Sequence, residues 1–116
     1  MAAGGAEPAG GVRDPATAEA ERIAARVRAL PDIAGLSAGE FGTTATPGPG
    51  GRVEGVAVRP EGVEVGVVVR YGRPIPDIAA DVRAAVLAAR GGVPDSGDGV
   101  RVWVADIDLA EAGTRR

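Results

Sequence analysis

Val63-Glu64-Val65-Gly66-Val67-Val68-Val69-Arg70-Tyr71 is the stretch on which the fold turns. Valine recurs at 63, 65, 67 and 69 with Tyr71 in phase, while Glu64, Gly66, Val68 and Arg70 fill the positions between. A period of two sends alternate side chains to opposite faces, so the segment predicts a β-strand with one aliphatic face. Upstream, residues 52–58 read as a partner strand joined through Arg59-Pro60-Glu61-Gly62. Proline second and glycine fourth suit a type I turn, and the two strands form a hairpin. Its register stays open. A two-residue loop puts Val56 and Val58 on the core face, whereas a three-residue loop with a bulge puts Val53, Gly55 and Ala57 there.

Outward from the hairpin, two helices are legible. Asp14-Pro15 suits an N-cap followed by the first helical position, and Ile23, Val27 and Leu30 then fall on one stripe before Pro31 ends the helix. Downstream, Gly72-Arg73-Pro74-Ile75-Pro76 leads into a second helix with Asp77 near its positive end. Ile75, Ile78, Val82, Val86 and Ala89 share its apolar face, and Gly91-Gly92 stops it. Ile33 to Leu36 is a short apolar segment, either a strand or a turn under the sheet. Residues 100–109 read as a last strand, with Val102 and Val104 on one face and Trp103, Ala105 and Ile107 on the other. Residues 1–12 read as a disordered tail, 37–51 as a flexible loop by their Thr/Pro/Gly content, and 111–116 as a frayed tail. Residues 13–110 then make a single α+β domain, a small three- to four-stranded mixed or antiparallel sheet with two helices packed on one face.

Composition narrows the chemistry. The 116 residues contain no Cys and no His, which excludes a disulfide scaffold, a thiolate nucleophile, a Ser-His-Asp triad and a zinc site of imidazole or sulfur. Apolar residues are 45% of the chain but aromatics only 3%, so the core has to be aliphatic and lean. The formal charge of −3 supplies no basic field for nucleic acid or anionic lipid, and all 13 basic residues are Arg. The first residues lack a basic n-region and an apolar h-region, so no signal peptide is read and a cytoplasmic address is expected.

No motif assembles a catalytic constellation. Gly48-Pro49-Gly50-Gly51-Arg52 is glycine-rich but precedes a strand, without the Lys-Ser/Thr of a phosphate loop. Asp95 and Asp98 lack the ladder of a calcium loop, and Asp77 with Asp81 is explained by a helix start. Arg52, Arg59, Arg70, Arg73 and Arg101 are interleaved with Glu54, Glu61, Glu64 and Asp106, which predicts cross-strand ion pairs on a solvated face. Tyr71, in phase with the valines, belongs at the rim of the core. Trp103, out of phase with Val102 and Val104, belongs on the open side of the sheet, where an aromatic either covers sheet area or makes a contact. Trp103, Tyr71, Val68 and Arg70 are therefore the candidate interaction surface, with no catalytic, cofactor or metal residues.

The run from Val63 to Arg90, with Tyr71-Gly72, Ile75-Pro76, the helix that follows and the valine-rich strand from Val100, resembles the alkaline shock protein family of Gram-positive bacteria. The first helix and Leu30-Pro31-Asp32-Ile33-Ala34-Gly35-Leu36 are also similar to that family. The inserts at 46–51 and 94–99 depart from it. The resemblance implies a non-enzymatic cytoplasmic scaffold of the cell-envelope stress response, without cofactors. Its implied partners are further copies of itself and small membrane-anchored proteins, through which it lies peripheral to the membrane. The alternative is a small RNA- or nucleotide-binding α+β module.

Overall fold

The computed structural model describes residues 14–48, 51–91 and 99–109. In chain order the elements are α1 (Pro15–Arg28), β1 (Ile33–Leu36), β2 (Ala45–Gly48), β3 (Gly51–Glu54), β4 (Val56–Arg59), β5 (Gly62–Arg70), α2 (Ile75–Ala89) and β6 (Val100–Asp108). The strand of alternating valines is the centre of a four-stranded mixed sheet. Along one side it pairs antiparallel with β4 through its first half and with β1 through its second. Its other side pairs with β6, in parallel. A parallel neighbour needs a crossover, and α2 provides it.

Val56 registers with Val65 and Val58 with Val63, across the two-residue loop Pro60-Glu61. Of the two possible hairpin registers, the shorter loop is the one formed, and it adds Val56 and Val58 to the valine face. Both helices cover that face. Ile23, Ala24 and Val27 of α1 and Ile78, Val82 and Val86 of α2 are buried against Val56, Val63, Val65, Val67, Val69 and Val100. The core is aliphatic throughout. Each such side chain contributes about 1.5–3 kcal/mol on full burial, so many small contributions replace a few aromatic ones. Residues 33–36 form a strand and not a turn.

The expected flexible loop at 37–51 and the single strand at 52–58 both need correction. Residues 45–48 form β2, which pairs antiparallel with β3, Thr46 registering with Val53. The strand breaks at Gly55, whose φ of 91° only glycine adopts readily. There the chain passes from the two-stranded sheet into the main one, and the Gly55 N–H donates to the Thr44 carbonyl at 2.7 Å. Threonine hydroxyls then fix the extra pair of strands. The Thr46 hydroxyl donates to the Val56 carbonyl at 2.7 Å and accepts from the Val58 N–H at 3.0 Å. The Thr17 hydroxyl of α1 donates to the Pro47 carbonyl at 3.0 Å. The tail readings at 1–12 and 111–116, and most of the loop before β6, lie outside the described residues.

The last strand carries a second correction. Val67 registers with Val104 but Val68 with Asp106, so Ala105 is an extra residue, a bulge. Alternation resets there. Ile107 registers with Val69 and joins the valine face, while Asp106 and Asp108 follow Trp103 onto the other.

Candidate interaction surface

The face of the sheet turned away from the helices carries Glu64, Gly66, Val68 and Arg70 from β5, with Arg101 and Trp103 from β6 beside Glu64 and Gly66. Trp103 was expected on the open side, and that is its face. It is not bare, however. The indole lies over Gly66, where a Cβ would come within 2.6 Å of Cζ2, and it also packs against Gly39. The segment between β1 and β2 covers this part of the face. The Ser37 N–H donates to the Gly66 carbonyl at 2.9 Å, and Ala38, Thr44 and Ala57 are buried. The indole Nε1 is itself buried with no hydrogen-bond partner among the described residues. Trp103 thus covers sheet area, and Val68 beside it is half-buried.

One ion pair on this side crosses strands as the mixed-sign pattern predicts, and Arg52 and Arg70 find partners elsewhere. The Arg59 guanidinium meets Glu64 at 2.6 Å and donates to the Thr43 carbonyl at 3.0 Å. Arg52 meets Glu54 at 3.2 Å within β3. Arg70 is exposed, and its Nε donates to the Pro31 carbonyl at 3.1 Å, tying β5 to the end of the first helical segment.

Tyr71 is elsewhere than expected. It follows the end of β5, 67% exposed, and is no part of the core rim. Its N–H donates to the Asp108 carbonyl at 3.1 Å, so the ends of β5 and β6 are held together. Ile107, 40% exposed, and Leu109, 57% exposed, stand at the same end. Tyr71, Arg70, Ile107, Pro74 and Ile75 line a shallow cavity of about 270 Å³ there. Beside it, Arg73 bridges Asp32 at 2.7 Å and Asp81 at 2.8 Å. Hydrogen bonds to Asp81 first and Asp32 second raise its pKa still further above the ordinary arginine value. The four residues singled out from the sequence therefore divide: Val68 and Trp103 lie on the covered face, whereas Arg70 and Tyr71 reach the apolar end.

Sequence reasoning missed Ile107 and Leu109, because the bulge hides which way Ile107 points. It also passed over Phe41, 85% exposed in the turn between Gly39 and Gly42. An isolated aromatic inside a polar loop of a chain so poor in aromatics was the signal that could have found it. Among the described residues no group of three or more acidic side chains could hold a metal ion, and no helix is long and apolar enough to cross a membrane. Asp81 is held by Arg73, while Asp95 and Asp98 lie outside the described residues. No family model, curated protein or solved structure matches the chain.

Proposed function

We propose that the chain is a non-enzymatic interaction module, a scaffold that self-associates and docks small membrane-anchored partners at the cell envelope. The observation that carries this reading is the apolar end of the sheet. Tyr71, Ile107 and Leu109 are exposed together beside a strand, β6, that pairs on one side only among the described residues. An unpaired edge offers main-chain donors and acceptors to an added strand, and flanking aromatic and aliphatic side chains supply the selective contacts. The resemblance to alkaline shock proteins supports the envelope and the membrane-anchored partner.

Affinity capture from detergent-solubilised native cells tests the reading, with wild-type bait beside a Tyr71→Ser/Ile107→Ser double variant. A small membrane protein recovered in amounts comparable to the bait, and lost with the variant, is the expected result. Nuclease-resistant recovery of ribosomal proteins instead would replace this reading with the RNA-binding one. Equal recovery by both baits would remove the apolar end from the interface.

A further inference from the structure

Phe41 is the most exposed large apolar side chain described, yet it stands on a turn held by several hydrogen bonds. Gly39 and Gly42 flank Glu40-Phe41 with φ of 88° and 69°, and the Gly42 N–H donates to the Gly39 carbonyl at 3.1 Å. The Ser37 hydroxyl accepts from the Gly39 N–H at 3.1 Å, and the Thr44 N–H donates to the Ala38 carbonyl at 3.1 Å. Trp103 packs under Gly39, and the Arg52 guanidinium lies against Gly42. An aromatic held out from a fixed turn loses little conformational freedom when it is buried in a partner, which favours binding.

On the opposite side of the molecule α1 and α2 leave a groove of about 650 Å³ between them. Ala25, Ala29, Leu30 and Ala84 line it, with Arg26 and Asp81 among its polar residues. Ala25, Ala29 and Ala84 are exposed and lie away from the stripes that α1 and α2 bury against the sheet. Asp81 is already engaged by Arg73, but Arg26 is in no ion pair among the described residues, and neither is Glu40 beside Phe41.

We propose that the occupant of this groove is the Glu40-Phe41 turn of a second copy of the chain, with the phenyl ring between the alanines and Glu40 against Arg26. The inference rests on the self-association reading above, but it moves the contact between copies from the sheet end, left to the membrane-anchored partner, to this turn and groove. Turn and groove lie on opposite sides of the layered molecule, so they cannot meet within one chain. Joining them between chains makes a heterologous contact, which leaves a free turn at one end and a free groove at the other. Assembly is then head-to-tail and open, not a closed two-fold dimer.

Sedimentation velocity over a concentration series tests it with two surface variants. Phe41→Ala removes the ring, and Ala84→Glu fills the groove and opposes Glu40. Wild-type protein is expected to grow beyond dimers with concentration, and each variant alone to associate at least about tenfold more weakly. An equimolar mixture of the two variants retains one intact turn and one intact groove, and is expected to give a 1:1 dimer that grows no further. Reversing the charges in one chain, Glu40→Arg with Arg26→Glu, is expected to restore the association that either reversal alone weakens. Wild-type protein that stays monomeric throughout would overturn the proposal, as would a variant mixture that forms no dimer. Assembly that survives both variants but disappears with Tyr71→Ser/Ile107→Ser would also overturn it, while leaving self-association through the sheet end standing.

Discussion

The indole of Trp103 rests directly on Gly66, at a separation that only a residue without a side chain permits. A Cβ there would lie 2.6 Å from Cζ2 and closer still to the Ser37 carbonyl oxygen. Backbone on one side and a ring on the other leave nothing free to yield. Gly66→Ala is expected to lower stability by about 2–3 kcal/mol, the upper part of the range for an overpacked core. Urea unfolding followed by Trp103 fluorescence measures it, and an unchanged midpoint would mean that the ring has room to move.

The buried indole N–H of the same residue has a separate consequence. An unsatisfied buried donor costs roughly 1–3 kcal/mol, which offsets part of what the ring contributes by packing. Trp103→Phe removes the donor and keeps an aromatic ring, and is expected to cost less than about 1 kcal/mol, against about 3 for Trp103→Ala. A Trp103→Phe loss well above about 1 kcal/mol in thermal melts would show that Nε1 is satisfied after all.

Thr46 is a small residue with a large expected effect. Thr46→Val keeps the shape but strands the Val56 carbonyl and the Val58 N–H, both now served by one hydroxyl. A loss of about 2–4 kcal/mol is expected in chemical denaturation, and Thr46→Ser is expected to recover most of it. Amide exchange at Val58 should quicken in the valine variant alone.

Arg73 joins the segment after α1 to α2 through Asp32 and Asp81, both at hydrogen-bond distance. The guanidinium is exposed, so water and salt screen it. Arg73→Gln is expected to lower the melting temperature less than Gly66→Ala does, by an amount that disappears in molar salt. Because its pKa is raised, the contribution of Arg73 is complete below the ordinary arginine value and fades only above it. The difference between wild type and variant should therefore stay flat between about pH 6 and pH 10. A difference that persists undiminished in high salt would point to packing and not charge.

How legible each part was in the sequence follows from the range of the forces that set it. The alternation from Val63 to Val69 and the stripes through Ile23 and Val27 and through Ile78, Val82 and Val86 are local patterns that burial turns directly into elements. The hairpin register was undecidable locally, and packing of Val56 and Val58 against the helices settles it. β2 was invisible because Thr46 and Thr17 hold it through hydroxyls that bond to residues 10 and 30 positions away. Ile107 was assigned to the wrong face because one inserted residue, Ala105, reverses every later side chain. The face of Trp103 could be read from its phase. Its cover could not, since Gly39 meets it only after the chain has folded.

The parallel pairing of β6 also bears on the order in which the chain can become a protein. β5 lies in the middle of the sheet, yet one of its two sides waits for a partner that begins 30 residues after Arg70, at Val100. Until ribosomal synthesis has passed α2 and reached the last strand, a valine-rich strand stands half-paired, and such edges recruit other chains. α2 is the crossover that carries the chain back to that side, so it too must be made before β6 can close it. Shielding of the nascent chain, and not only the stability of the finished fold, is then expected to limit how much of it is obtained.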